Sequence, residues 1–432
     1  MMGSIVTSRG NMPQVKQDVE SFARIRVIGV GGSGQNAINH MVSANVKGVE
    51  FVSINTDAQD LHHSKAKKNV HIGKNLTRGL GAGGDPTFGK RAAEETQEEI
   101  LETVSDSDMV FIAGGMGGGT GTGAAPVIAR LAKEAGALTV GIVTKPFSFE
   151  GQQRMRAAEE GIASLQEEVD ALIVIPNDRL MAIVDRDTSV TNAFALCDDV
   201  LRQAVEGISD LITTPGIVNV DFADIRTVMQ NAGSALMGIG LASGEKRAEE
   251  AAQKAINSPL LEVSITGARG VLFAIAGGED LGMLEIQDAA RVITESIDPN
   301  ARVIFGAFHD EKLKKDEVKV TVIATGFSEE DLAAGKGNLF SIANDLAAPT
   351  PPKEELTPGQ IHNAIAEVRS TPRPNKPEPS VRPLKKEPLT SAAKQAQPKP
   401  AEAKKDDSNI ADDDDDDAEW GIPPFLRRSK IK

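Results

Sequence analysis

The stretch IAGGMGGGTGTGAAP (112–126) constrains the fold of this chain more than any other. Seven of the ten residues from Gly114 to Gly123 are glycine. Glycine weakens helix and strand interiors alike, so a packed domain accepts such a run only where its backbone must come close to something. MVFIAGG (109–115) reads as a short buried strand, and APVIARLAKEAG (125–136) as a helix closed by glycine. A strand, a glycine loop and a helix in that order gather backbone N–H groups at a positive helix end. The product is an anion site suited to a di- or triphosphate. Within GGGTGTG (117–123), Thr120 and Thr122 add hydroxyl donors.

The same alternation runs through the first half of the chain. RIRVIGV (24–30), FVSIN (51–55), LTVGIVT (138–144) and ALIVIPN (171–177) are further strand candidates. Strands alternating with helices predict an α/β fold with a parallel sheet covered on both faces. Ligands then belong at the loops leaving the strands' carboxyl ends. One such loop, GVGGSGQN (29–36), spells Gly29-x-Gly31-x-x-Gly34 between a strand and a helix, the formal dinucleotide pattern, with Asp57 as a candidate ribose acid. Alone it is compatible with a Rossmann cofactor site, another phosphate site or a tight turn. GDPTFGKR (84–91) approaches a Walker A loop but lacks the magnesium-holding Ser/Thr and follows no strong strand. A Rossmann enzyme needs no second, longer cradle, so GGGTGTG favours a polyphosphate.

SVTNAFALCDDVLRQAVEGISDLITTPG (189–216) is a long helix by its three-and-four spacing, ended by Pro215-Gly216, with Cys197 as a small core residue. In NVDFADIRTVM (219–229), Asp221 and Asp224 share one face if a helix begins there. Read without context, they complement the helix dipole. RGVLFAIAG (269–277), NARVIFGAF (300–308) and EVKVTVIATGF (317–327) read as strands and LGMLEIQDAARVITESI (281–297) as a helix, an α+β arrangement.

Beyond about Ala347 the composition changes. Twelve of the 22 prolines fall between Pro349 and Pro400. Such a stretch cannot offset its ordering entropy by burial, which predicts a disordered, extended linker. Within it, GQIHNAIAEVRS (359–370) has the spacing of a transient helix. An acidic run, Asp412 to Asp417, then precedes EWGIPPFLRRSKIK (419–432), which carries the only tryptophan, Trp420. The net charge of −15 argues against non-specific nucleic-acid binding. One cysteine excludes an intramolecular disulfide framework, and six scattered histidines offer no zinc-type cluster. No apolar run approaches the ~20 residues of a membrane span, and the N-terminus lacks a signal-peptide pattern, so a cytoplasmic protein is expected.

GGGTGTG is also the signature of the tubulin-like GTPases. The chain resembles the bacterial FtsZ family through GVGGSGQNAINHM, NTDAQDL, GLGAGGDPTFGKRAAEE, AGGMGGGTGTGAAP, TKPFSFEGQQRM, IPNDRL, NVDFADIRTVM and SALMGIG, in order, over roughly residues 22–327. GIPPFLRR resembles that family's C-terminal docking peptide. Ser33 stands where a glycine is common, and Gln35 where Asn or Gly is common.

The resemblance implies an organisation. A flexible segment (1–21) precedes a Rossmann-like GTP-binding domain (22–188). A central helix (189–216) joins it to a smaller α+β domain (217–327), followed by the linker (328–418) and the docking peptide (419–432). It also implies roles. Gly31, Gly32, Ser33, Gly34, Gln35 and Asn36 form the first nucleotide loop, with Asn36 reaching the guanine. Ala82 and Gly83 approach the γ-phosphate. Gly117, Gly118, Gly119, Thr120, Gly121, Thr122 and Gly123 hold the α- and β-phosphates. Glu150 and Arg154 contact ribose and its surroundings, Phe194 stacks on the base, and Asn177 and Asp198 read the guanine edge. On residue type alone, Glu150–Arg154 is equally an i,i+4 surface ion pair and Phe194 a core residue.

Asp221 and Asp224 act in trans on the next subunit's GTP, with Mg2+ bridging the phosphates. The implied protein is a polymerising GTPase of the cell-division ring, assembling at mid-cell. It partners itself and, through 419–432, membrane-adaptor division proteins, touching the membrane only indirectly. Two other classes stand beside it: a nicotinamide or flavin oxidoreductase using the first loop, and a GTP-binding scaffold with little turnover.

Overall fold

The computed structural model describes residues 23–181, 188–261 and 263–327; the N-terminal segment, linker and docking peptide expected from the sequence lie outside them. The first half runs β1 (Ile25–Val30), α1 (Gly31–Ser43), β2 (Val49–Asn55), α2 (Ala58–His62), β3 (Lys68–His71), α3 (Lys74–Thr77), α4 (Pro86–Glu95), α5 (Gln97–Val104), β4 (Met109–Gly115), α6 (Thr120–Glu134), β5 (Leu138–Lys145), α7 (Gln152–Glu168), β6 (Ala171–Pro176) and α8 (Asn177–Leu180). Then come α9 (Val190–Thr213), α10 (Phe222–Met229), β7 (Gly233–Ser243), α11 (Arg247–Ile256), β8 (Gly270–Gly277), α12 (Met283–Glu295), β9 (Arg302–His309) and β10 (Glu317–Thr325).

The strands read as continuous apolar runs because the sheet is buried on both faces. In β1, Ile25 and Val27 enter one core while Ile28 and Val30 enter the opposite one. In β8, Leu272, Ala274 and Ala276 face the first core and Val271, Phe273 and Ile275 a third.

All these strands belong to one sheet, in the order β3-β2-β1-β4-β5-β6-β7-β10-β8-β9. From β3 to β7 the pairing is parallel, and β10 runs antiparallel to β7 and β8. The two halves foreseen as separate domains are therefore hydrogen-bonded together. The joint is short: Ala171↔Gly233, Leu172↔Ser234 and Ile173↔Ala235. The central helix α9 braces it. Leu201, Val205 and Ile208 share one core with Ile25 of β1 and Ile323 of β10.

Two expectations need correction. Helix α6 begins at Thr120, not after the glycine run, so TGTG is its first turn. N–H groups there need no intrahelical acceptor, so the first turn itself can form the anion cradle. Strand β7 went unread because glycine interrupts it. Side chains at Gly238 and Gly240 would collide with the carbonyls of Ala255 and Ala251, so these glycines let α11 lie directly on the sheet.

Candidate functional site

Strand order reverses between β1 and β4, which are neighbours. Their C-terminal loops thus lie side by side at a topological switch point, where open α/β sheets bind ligands. Helix α1 starts at Gly31 and α6 at Thr120, so two positive helix ends converge. A Cβ on Gly31 would stand 3.0 Å from the Gly121 nitrogen. Among the described residues, the amides of Gly118, Gly119, Thr120, Gly121 and Thr122 donate to no acceptor.

What the glycines approach is mostly the protein itself. A Cβ on Gly117 (φ +94°) would lie 2.6 Å from the Arg154 carbonyl oxygen. One on Gly119 would lie 2.8 Å from Ala82 Cβ, and one on Gly121 2.9 Å from the Gly115 carbonyl oxygen. On Gly123 it would strike the Pro86 carbonyl. Only Gly118 of this loop has no atom within 4 Å of such a Cβ. The loop is pressed into its neighbours on one side, leaving amides to line the other.

The hydroxyls divide similarly. Thr122 turns inward, where its Oγ1 accepts from Gly117 N–H at 2.8 Å. Thr120 Oγ1 sits 2.6 Å from the hydroxyl of Thr56, a fully buried residue given no role by the sequence reading. Its only earlier signal was the NTDAQDL motif. Ala82 is carried to the loop by a turn in which Asp85 N–H donates to Ala82 O at 3.1 Å, with Gly83 at φ +60°. In the first loop, Ser33 and Asn36 are exposed. Gln35 is buried, donating to Asp60 O at 2.5 Å, while its Oε1 has no partner. Asp57, the candidate ribose acid of the dinucleotide reading, instead caps α2, accepting from Gln59 N–H at 2.9 Å and Asp60 N–H at 3.1 Å.

The remaining candidates sit at the ends of the next strands, β5 and β6, and on α9. From β1 to β6 is three strand spacings, about 14 Å, the scale of a nucleotide rather than of a lone phosphate. Glu150 pairs with Arg154 at 3.2 Å and also accepts from Phe147 N–H at 2.9 Å. The ion pair is real, and an i,i+4 pair of this exposure is worth under about 1 kcal/mol. Arg154 keeps half its side chain exposed beside Gly117.

Asn177 opens α8, is 5% exposed, and its Oδ1 has no partner. Asp198, on α9, accepts no hydrogen bond among the described residues. Burial pushes its carboxyl up to about 7, opposed only by His40. A half-buried carboxylate without donors is costly unless a ligand supplies them. One turn earlier, Phe194 meets Phe147 edge-on at 5.4 Å, and Phe147 stacks on Phe149 at 5.0 Å. With 38% of its surface exposed, Phe194 is no core residue.

Asp221 and Asp224 lie elsewhere. Asp221 is the N-cap of α10, accepting from Ala223 N–H at 2.9 Å, so only Asp224 stands within the helix. Aspartate is a preferred cap because its oxygen satisfies a first-turn amide. Both are exposed. Arg226, two residues on, donates to the carbonyl of Gly136 at 2.9 Å, at the far end of α6 from the cradle. Fifteen helical residues span about 22 Å.

Comparison with known proteins adds to this geometry. The Tubulin/FtsZ family GTPase domain matches residues 24–185, and the FtsZ family C-terminal domain residues 233–328. An FtsZ dimer from M. jannaschii, empty of ligand, is 49% identical, with a TM-score of 0.68, covering 71% of this chain and 89% of that one. CetZ2 from Haloferax volcanii, a GTPgS-bound protofilament, is 21% identical with a TM-score of 0.61, covering 75% and 100% of the two chains. CetZ1 from the same organism, a GDP-bound monomer, is 23% identical with a TM-score of 0.62, covering 74% and 99%. At such identities the CetZ likeness speaks for the fold alone.

Proposed function

Since this chain belongs to the Tubulin/FtsZ family, a family of GTPases, we propose that it is a GTP-hydrolysing protein that polymerises head to tail into the filaments of a cell-division ring. One observation carries the reading: the phosphate cradle lies at the start of α6, while α10, which bears the exposed aspartates, docks through Arg226 at the other end of that helix. A cradle of amides and hydroxyls has no base of its own, and the aspartates have no phosphate within reach. Stacking two copies end to end completes the site.

In this reading the free amides of Gly118–Thr122 and the α1 terminus hold the phosphates, with the Ala82–Gly83 turn beside the γ-phosphate. The Asp198 carboxylate accepts from guanine N1–H and N2–H, donors that adenine does not present in that arrangement. Asn177 offers its unpartnered Oδ1 to the same edge, Phe194 stacks on the base, and Asn36, Glu150 and Arg154 border base and ribose. Asp224, with Asp221, orients the neighbour's attacking water, which bonds to the γ-phosphorus as the β–γ bridging bond breaks and GDP leaves. Mg2+, which would be held mainly through the nucleotide's own phosphates, would supply charge neutralisation when bound.

No helix among the described residues is long and apolar enough to cross a membrane. The proposed location is the cytoplasmic division site, with attachment through adaptors binding 419–432.

The test is phosphate release across protein concentrations. Specific activity should rise with concentration and fade below an assembly threshold. Activity per molecule that stays flat on dilution rejects the trans mechanism. GTP binding and filaments without phosphate release would favour a scaffold instead.

A further inference from the structure

Helix α6 ends as firmly as it begins. Gly136 adopts φ +87°, its N–H donates to Lys133 O at 3.0 Å, and Ala137 N–H donates to Ala132 O at 3.2 Å. That double closure satisfies the last-turn carbonyls and turns Gly136's own carbonyl outward. Arg226 Nη2 docks on it, placing a cation at the negative end of the helix dipole.

A second tie lies beside it. Asp170, 4% exposed at the foot of β6, accepts from Thr139 N–H at 3.0 Å and Asn231 N–H at 3.3 Å. It also faces Lys133 of α6's last turn at 3.6 Å. A third tie is the Thr325 hydroxyl, which donates to Val228 O at 3.1 Å. All three grip the middle or C-terminal end of α10. At its N-terminal end Val220 and Phe222 pack on the core while the Asp221 and Asp224 side chains are exposed.

We propose that α6 is a strut that fixes Asp224 against the next subunit's nucleotide, and that Arg226 is the positioning residue at its far end. This rests on the trans reading of the aspartates. Ile225, Val228 and Met229 are buried and keep α10 folded whatever residue 226 is. The Arg226–Gly136 bond adds register: it locks α10 to the very helix whose other end holds the subunit's own phosphates. Both ends of a filament repeat are then referred to one rigid rod, so successive sites share one geometry. Misplacing a reactive group by a fraction of an ångström is enough to slow a reaction that depends on orientation.

The test uses the full chain with Arg226→Ala, Arg226→Lys and Asp224→Ala. GTP affinity is measured in dilute, unassembled protein, polymer mass by sedimentation, and phosphate release per sedimented subunit. Arg226→Ala should keep GTP affinity, KM and polymer mass within about twofold while turnover per assembled subunit falls about 3–30-fold. Arg226→Lys, which retains a donor, should recover most of that loss.

Normal turnover in Arg226→Ala, a matching loss of GTP affinity in the dilute protein, or no recovery with lysine overturns the strut. Should Arg226→Ala fail to fold, Arg226→Met, which keeps the aliphatic stem, reads the same split. Asp224→Ala separates the two levels. If it is slow while Arg226→Ala is normal, only the strut falls; if it too is normal, the trans reading falls with it.

Discussion

At the residue scale, each glycine has its own reason. A methyl group at Gly121 meets the Gly115 carbonyl, whereas at Gly118 it meets nothing. Gly118→Ala should therefore leave thermal stability nearly unchanged, within about 1 kcal/mol, yet weaken GTP binding if phosphate occupies that space. Gly121→Ala should destabilise the fold itself. Equal GTP affinity of Gly118→Ala and wild type would remove the phosphate from this side of the loop. Asp198 gives a pH signature. Its carboxyl, raised to about 7 by burial, must be ionised to accept guanine's donors. Guanine-nucleotide affinity of the dilute protein should hold above pH 7 and drop about tenfold by pH 6. Asp198→Asn should bind weakly and without that dependence. Calorimetric titration across pH checks both, and a flat wild-type profile refutes the base-reading role.

At the element scale, the lesson of α10 is that one residue can hold two positions at once. Asp221 caps the helix, so Asp221→Ala removes a cap worth about 0.5–2 kcal/mol besides any catalytic role. Asp221→Asn keeps the cap and isolates the charge. If Asp224 positions the nucleophile as proposed, Asp224→Ala should cut hydrolysis by ~10²-fold with nucleotide binding intact. The central helix carries a separate titration. Burial first, then Glu206 and Asp310, raise Asp210 to about 7 against the pull of Lys319 and Lys312. Its folded pKa lies above its unfolded one, so the charge costs stability above pH 7, and that cost fades as pH falls towards 4. Asp210→Asn should gain on the order of 1–2 kcal/mol at pH 8 and little near pH 4, read by urea unfolding at the two values.

At the scale of the whole molecule, the ten-stranded sheet makes a single body of what the sequence divided at residues 188 and 216. The joint depends on three β6–β7 pairs and on α9, whose apolar face packs on both halves. Under the proposed function, such a subunit would hold its two half-sites at a fixed separation, as a polar filament needs. The proposed adaptor binding falls on 419–432, outside the described residues. Deleting 419–432 should leave GTP hydrolysis and sedimentable polymer close to wild type while abolishing recruitment to adaptor-bearing vesicles. Loss of hydrolysis in the deletion, or undiminished recruitment, would break that separation.

Local pattern alone determined the strands at 25–30, 109–115 and 270–277 and the central helix, and it motivated the polyphosphate reading of GGGTGTG. Buried parallel strands and amphipathic helices print their environment directly into residue order. The short edge strand β3, with one fully buried residue, and the glycine-broken β7 carry too little apolar signal to read alone. Tertiary structure decided what no spacing encodes. It showed that most glycines of the loop face protein rather than ligand, that Thr122 braces while Thr120 leans on Thr56, and that Asp57 is occupied as a cap. It also docked Arg226 of α10 at the end of α6 opposite the glycine-rich first turn. The Asp57 cap and the Thr122 brace are local, but spacing alone does not say which role such a side chain takes. The Thr120–Thr56 contact and the approach of the loop glycines to Ala82, Pro86 and Arg154 join residues far apart in the chain, and the sheet that creates those relations exists only once the chain has folded.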